Sequence, residues 1–152
     1  SIRSETGWPT RIKGPVTLSG NTLFGYDSVG SIHMHGNITG SGGITLTGDI
    51  WIFLYGKNTF TGPTKVLAGN LKLTNSEALG QCPIVIEEKG KVILDYNGTT
   101  TVASLSIKDK SMPPGTYGSS TSDALNKDDS AFGGKGTITV LPPVSGTKPS
   151  KP

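Results

Sequence analysis

The side chains that could do chemistry in this sequence are scattered and do not form a catalytic pattern. Glu87 and Glu88 are adjacent, so in a strand they point to opposite sides and cannot act as an acid and base pair. Asp27, Asp49 and Asp95 have no recognisable acid and base spacing. There is also no Gly-x-Ser-x-Gly motif of the kind that presents a nucleophilic serine. The sequence therefore predicts a protein that is not an enzyme.

Two segments carry side chains of the kinds that bind metals. His33 and His35 are two residues apart and share one face of a predicted strand, but no third ligand is identifiable. Solvent-facing histidines beside buried Ile32 and Met34 are the favoured interpretation. The run 123–129 is rich in oxygen ligands for calcium, yet it lacks the EF-hand glycine and distal glutamate. We therefore expect a solvated loop there, no metal site and no cofactor.

Composition limits the class of protein. The chain has 152 residues, of which 33% are hydrophobic, 16% are charged and 22 are glycine, and this balance is typical of an all-β protein with many tight turns. The net charge is +3, but the basic residues are dispersed, so we expect no nucleic-acid binding. No apolar run is long enough to insert into a membrane. Cys82 is the only cysteine and is predicted to be a small buried residue.

The elements that must position these residues are short alternating strands separated by glycine. None of these strands could bury a face alone, so they must stack on one another. The spacing predicts a β-solenoid, with a β-sandwich or jelly roll as the alternative. The candidate strands are 15–18, 22–24, 31–35, 44–47, 50–55, 64–67, 70–74, 83–87, 91–95, 102–107 and 136–141.

The chain is predicted to contain one domain with two extensions. Residues 1–13 form an amino-terminal arm that carries Trp8, residues 14–141 form the β-solenoid domain, and residues 142–152 form a proline-rich tail or linker. Residues 115–134 interrupt the strand rhythm as a longer polar connection, in which Ala124 and Leu125 suggest one helical turn.

A family resemblance is carried by several glycine-containing motifs. They are Gly40-Ser41-Gly42-Gly43-Ile44, Asn58-Thr59-Phe60-Thr61-Gly62, Val66-Leu67-Ala68-Gly69-Asn70-Leu71-Lys72-Leu73 and Ala78-Leu79-Gly80. The series resembles the autotransporter-associated β-strand repeat of bacterial surface and passenger proteins, over roughly residues 15–141. This resemblance implies a right-handed parallel β-helix displayed outside the cell. The translocating membrane barrel is absent from this sequence, and the strand before Asn58 is unusually apolar.

That apolar strand, 50–55, is the sharpest functional feature of the sequence. Because side chains alternate, the aliphatic residues share one face and Trp51, Phe53 and Tyr55 share the other. An uncovered row of three aromatic rings would be a sticky patch. The cover could be the connection 115–134 or the Trp8 arm, a segment of a neighbouring chain, or a glycan stacked on Trp51 and Tyr55.

We therefore expect a noncatalytic extracellular structural module at the cell surface. It would associate with copies of itself, as a fibre or stalk, through its termini and the outward aromatic strand. The alternative is a carbohydrate-binding or adhesion module appended to a secreted protein. The expected partner-binding or glycan-binding residues are Trp51, Phe53, Tyr55 and Trp8.

Overall fold

The protein is built from β-strands. A computed structural model describes residues 9–25 and 30–142, and the regular elements in those ranges are all strands, with no helix. In chain order they are β1 (Thr10–Ile12), β2 (Val16–Leu18), β3 (Thr22–Gly25), β4 (Gly30–Met34), β5 (Ile38–Gly40), β6 (Ile44–Thr47), β7 (Ile50–Leu54), β8 (Thr64–Leu73), β9 (Pro83–Leu94), β10 (Thr99–Val102), β11 (Ser104–Ile107), β12 (Lys110–Ser111), β13 (Gly115–Gly118), β14 (Asn126–Lys127), β15 (Phe132–Gly134) and β16 (Thr137–Val140).

The strands pair across rungs and not with their neighbours in sequence. Thr10 pairs with Ile32, Ile32 with Ile52, and Ile52 with Leu71, all in parallel, so the chain returns to the same place after 22, 20 and 19 residues. Each return completes one rung, and the next rung stacks on it. The fold is a β-solenoid, which confirms the fold class predicted from the sequence.

Three faces run along the solenoid. The first face holds β1, β4, β7, the carboxyl-terminal halves of β8 and β9, and β15. The second face holds β2, β5, the extended segments 58–61 and 78–80, β10 and β16. The third face holds β3, β6, the amino-terminal halves of β8 and β9, and β11.

One corner of the solenoid is turned without ending the strand. The sequence predicts separate strands at 64–67 and 70–74, whereas β8 is continuous from the third face to the first. Gly69 has a φ of 82°, which a glycine adopts without steric cost, and the register with β9 shifts between Val66 and Ala68. This bend lets the backbone change direction while it keeps its hydrogen bonds to the next rung.

The core is a set of side-chain columns inside the solenoid. On the first face, Ile32, Ile52, Leu71, Val92 and Phe132 lie in register on successive rungs and are all buried. Burying a side chain of this size stabilises a fold by about 1.5–3 kcal/mol. Cys82 is also fully buried, as the sequence predicted. The repeated column explains why short strands suffice for a stable domain.

A buried asparagine ties three rungs together. The Asn58 side chain is 3% exposed, and its Oδ1 accepts a hydrogen bond from the backbone N–H of Ile38 at 2.7 Å. Its Nδ2 donates to the carbonyl of Ala78, also at 2.7 Å. Both partners are backbone groups at a corner where the strands are interrupted, so the side chain satisfies polar groups that would otherwise be unpaired.

Antiparallel strands close the carboxyl-terminal end of the stack. Strand β12 folds back on β11 through Lys108 and Asp109, whose φ angles of 51° and 66° are typical of a two-residue hairpin turn. Strand β13 pairs antiparallel with β16 on the second face. A further parallel rung therefore cannot be added to β11 or β16 at this end.

The predicted extensions correspond only in part to described residues. Strand β1 falls inside the stretch predicted as an arm, and it forms the start of the first rung by pairing with β4. Trp8 and residues 143–152 lie outside the described residues. The helical turn suggested for Ala124 and Leu125 was a wrong prediction, because this stretch consists of bends and leads into β14.

Candidate functional site

Strand β7 points its aromatic side chains outward. Ile50, Ile52 and Leu54 are completely buried, whereas Trp51 is 40% exposed and Tyr55, which directly follows the strand, is 36% exposed. Phe53 is half-buried. The alternation predicted from the sequence is thus present in the structure, with the aliphatic residues inside.

The neighbouring strand adds two histidine rings to this row. His33 is in register with Phe53, and their ring centroids are 4.2 Å apart with planes 7° from parallel. His35 stacks in the same way on Tyr55, at 4.5 Å and 2°. We call Trp51, Phe53, Tyr55, His33 and His35 the aromatic ladder. The offset of 20 residues between each stacked pair is the sequence signal that would have revealed it.

The rings of the ladder contact one another through their faces. Within β7 the three rings lie side by side, with centroids 5.9 Å apart for Trp51 and Phe53 and 6.2 Å for Phe53 and Tyr55. The histidine rings form a second layer against this row. The ladder therefore presents mainly ring edges to solvent, because the faces of Phe53 and Tyr55 are occupied on one side by histidines.

Hydrogen bonds hold the histidine layer in place. His33 Nδ1 lies 2.9 Å from the Tyr55 hydroxyl, and His33 Nε2 lies 3.1 Å from Ser31 Oγ. Burial lowers the pKa of His33, and the positive charge of Arg11 and the proximity of His35 lower it further. The ring is thereby held in its neutral form, which suits stacking between other rings.

Positive charges lie at both ends of the ladder along the solenoid axis. Lys72 Nζ lies 5.4 Å from the centroid of Phe53, within the range of a cation–π contact, and it also pairs with Asp95 at 3.3 Å. Arg11 is in register with His33 on the opposite side and is exposed. Phe53 is thus stacked between a histidine ring and a lysine ammonium group.

The connection predicted to cover the aromatic row packs elsewhere. Within 115–134, β13 pairs with β16 and with β14 on the second face. Strand β15 lies on the first face, but it pairs with β9 and is separated from β7 by two strands. The other predicted cover, the arm at Trp8, lies outside the described residues.

The acidic loop uses its carboxylates to build turns. Asp128 Oδ1 accepts hydrogen bonds from the backbone N–H of Ser130 at 2.9 Å and of Ala131 at 3.3 Å, and Asp129 Oδ1 accepts one from Ser120 at 2.7 Å. Burial alone would raise the pKa of Asp128, but these bonds from Ser130 and Ala131 hold it below its ordinary value. This loop is ordered by its own backbone contacts.

No metal-binding constellation exists in the described part of the chain. Within residues 9–25 and 30–142, no group of three or more His, Cys, Asp or Glu side chains is placed to hold an ion. Glu87 is half-buried and Glu88 is exposed at the corner where β9 turns. His33 and His35 bind to and stack on the ladder instead.

Comparison with known proteins gives no assignment. The chain matches no family model, no curated protein and no solved structure. The resemblance to the autotransporter-associated repeat therefore stays a prediction. In the described residues, no helix is long and apolar enough to span a membrane.

Proposed function

We propose that this protein is a noncatalytic extracellular structural module that associates with copies of itself through the aromatic ladder. The observation that carries the proposal is the exposure of Trp51 and Tyr55 on a flat solenoid face. Contiguous apolar groups on a surface indicate an interaction site, and aromatic side chains are enriched in protein interfaces. The extracellular location is supported by the resemblance to surface repeats and by the lack of a second cysteine.

The geometry of the ladder favours a protein partner over a glycan. Sugars stack on open ring faces, but the faces of Phe53 and Tyr55 are covered on one side by His33 and His35. Exposed ring edges and half-exposed rings pack well against side chains of another flat strand surface. A second copy of the same face is such a surface, and it forms a self-complementary two-fold interface.

The size of the face predicts a weak association. Five neighbouring strands of about five residues cover an area of about 400 Å² per copy, given the usual strand spacing and rise. Two copies would bury about 800 Å², which is less than the roughly 1,200 Å² of stable complexes. The association therefore becomes appreciable only at high local concentration, as on a crowded surface.

The closed end of the stack favours sideways association over end-to-end growth. Strands β12 and β13 block the addition of a parallel strand to β11 and β16. Contact through the first face leaves these caps intact. We therefore propose that copies meet side by side and that any fibre or stalk is built from such pairs.

Sedimentation velocity tests this proposal. The wild-type protein should pass from monomer to dimer between about 10 µM and about 1 mM. Trp51→Ser combined with Tyr55→Ser should abolish the transition, whereas Leu125→Ser, at an 87% exposed apolar residue outside the ladder, should leave it unchanged. A wild-type protein that stays monomeric throughout, or an equal loss in the Leu125 variant, would contradict the proposal.

The second candidate function is carbohydrate binding or adhesion, and one ring favours it. Trp51 is in register with Ser31 and Asn70, neither of which carries a ring, so it has the most open surface in the ladder. Glycan retention that disappears in Trp51→Ala but persists in Phe53→Ala would support this candidate against self-association.

A further inference from the structure

The second face carries an outward column of threonines that is interrupted at one rung. Thr17 and Thr39 are in register and their hydroxyl oxygens are 3.4 Å apart. Thr59 continues the column, because its N–H donates to the carbonyl of Ile38. On the following rung Gly80 lies over Thr59, and a Cβ built on Gly80 would be 3.4 Å from the Thr59 Cα. The column therefore lacks one side chain at this level.

The missing side chain creates a cleft. The next rung again presents threonines, Thr99 and Thr101, so the gap between Thr59 and these residues spans two strand spacings, about 9–10 Å. The resulting cleft has a volume of about 390 Å³. Its floor is formed by Gly80 and Leu79, which is buried.

The walls of the cleft are polar and carry no net charge. Hydroxyl groups come from Thr59, Thr101 and Ser76, and an amide comes from Gln81. Lys57 and Glu77 stand at one margin, where they neutralise each other in an ion pair of 3.1 Å. Hydroxyl and amide groups both donate and accept hydrogen bonds, as the hydroxyls of a sugar do.

We infer that this cleft is a binding site for a neutral saccharide of one or two rings. Its volume lies at the lower end of the range for small-molecule sites, roughly 300–1,000 Å³. An anionic ligand is disfavoured because the charge of Lys57 is matched by Glu77. An apolar ligand is disfavoured because hydroxyl and amide groups line most of the wall. The site is separate from the aromatic ladder and does not depend on self-association.

Chemical-shift mapping with neutral oligosaccharides tests the inference. Cellotriose, xylotriose, mannotriose and chitotriose are each titrated into the full chain, with binding expected near a Kd of about 1 mM for a shallow polar site. At least one should shift the amide signals of Gly80, Gln81 and Thr101. No shift at these residues with any of the four, or shifts confined to Trp51 and Tyr55, would overturn it.

Matched variants separate the cleft from the rest of the threonine column. Thr101→Val keeps the shape of the side chain but removes the hydroxyl, so the affinity should fall about three- to tenfold. Thr39→Val removes a hydroxyl from the same column outside the cleft and should have no effect. Equal weakening by both variants, in proteins whose spectra remain dispersed, would contradict a site at the cleft.

Discussion

His33 makes the stability of the fold depend on pH in the acidic range. Its pKa is lowered in the folded protein by burial, by Arg11 and by His35, so the unfolded chain binds more protons. The stabilisation is present above the ordinary histidine pKa of about 6.5 and is lost as the pH falls through the folded value. Protonation would also place a charge between Arg11 and His35.

We therefore expect the urea midpoint of the wild-type protein to fall between pH 8 and pH 5. His33→Gln, which cannot take up a proton, should show a smaller fall over the same range. Chemical denaturation followed by tryptophan fluorescence at both pH values provides the measurement. An identical pH dependence in the two proteins would show that His33 is not the responsible group.

Tyr96 has the corresponding effect in the alkaline range. Burial raises the pKa of Tyr96 to about 12, although its hydrogen bond with Thr100 acts in the opposite direction. Because the ordinary tyrosine pKa is about 10, the folded state binds the proton more tightly, and about 2 kcal/mol of stability is lost between pH 10 and pH 12. Tyr96→Phe should not lose this contribution.

The measurement for Tyr96 is the difference between two denaturation midpoints, at pH 9 and pH 11.5, in each protein. The wild-type protein should show the larger fall. The variant should start from a lower midpoint at pH 9, since it lacks the hydrogen bond with Thr100. A fall of the same size in both proteins would contradict the assignment.

At the scale of elements, Gly40 is required by the close approach of two rungs. It ends β5 with a φ of 107°, and an added Cβ would lie 2.2 Å from the carbonyl oxygen of Leu18. Gly40→Ala should therefore cost about 2–4 kcal/mol through backbone strain and displacement of the neighbouring rung.

Gly20→Ala is the matched control for that prediction. A Cβ on Gly20 would meet nothing within 4 Å, and its φ lies outside the left-handed range. This variant should change the free energy of unfolding by less than about 0.5 kcal/mol. Thermal or urea unfolding of both variants checks the pair, and similar losses in both would contradict the role assigned to Gly40.

Most strands could be predicted from the sequence because their alternation and their glycines are local signals. The inward and outward faces of 50–55 followed directly from the period of two. Two features were not local. The continuous path of β8 depends on a left-handed Gly69, and the break between β10 and β11 occurs at Ala103, inside a stretch predicted as one strand.

The composition of the ladder was only half predictable for the same reason. Trp51, Phe53 and Tyr55 belong to one strand, so their shared face was evident. The stacking of His33 and His35 on them requires the length of a rung, and rung lengths here vary between 19 and 22 residues. The cleft at Gly80 depends on this register as well, so neither feature is apparent from spacing within a single strand.

At the scale of the whole molecule, the proposed contacts occupy different faces. The ladder lies on the first face, and the threonine cleft lies on the second. Each rung contacts mainly the rungs directly before and after it, so a change on one face is transmitted mostly along the axis. A single chain could therefore engage a second copy and a saccharide at the same time.

The parallel pairing of rungs also determines how the molecule responds to tension. Hydrogen bonds between rungs run along the solenoid axis, so a force applied between residues 10 and 140 loads them one rung after another. The chain should peel in steps, each freeing about 20 residues, or about 70 Å of extended chain. Optical tweezers would resolve such steps, whereas one abrupt extension would contradict them. A surface stalk with this property would lengthen gradually under drag and absorb mechanical work before it detached.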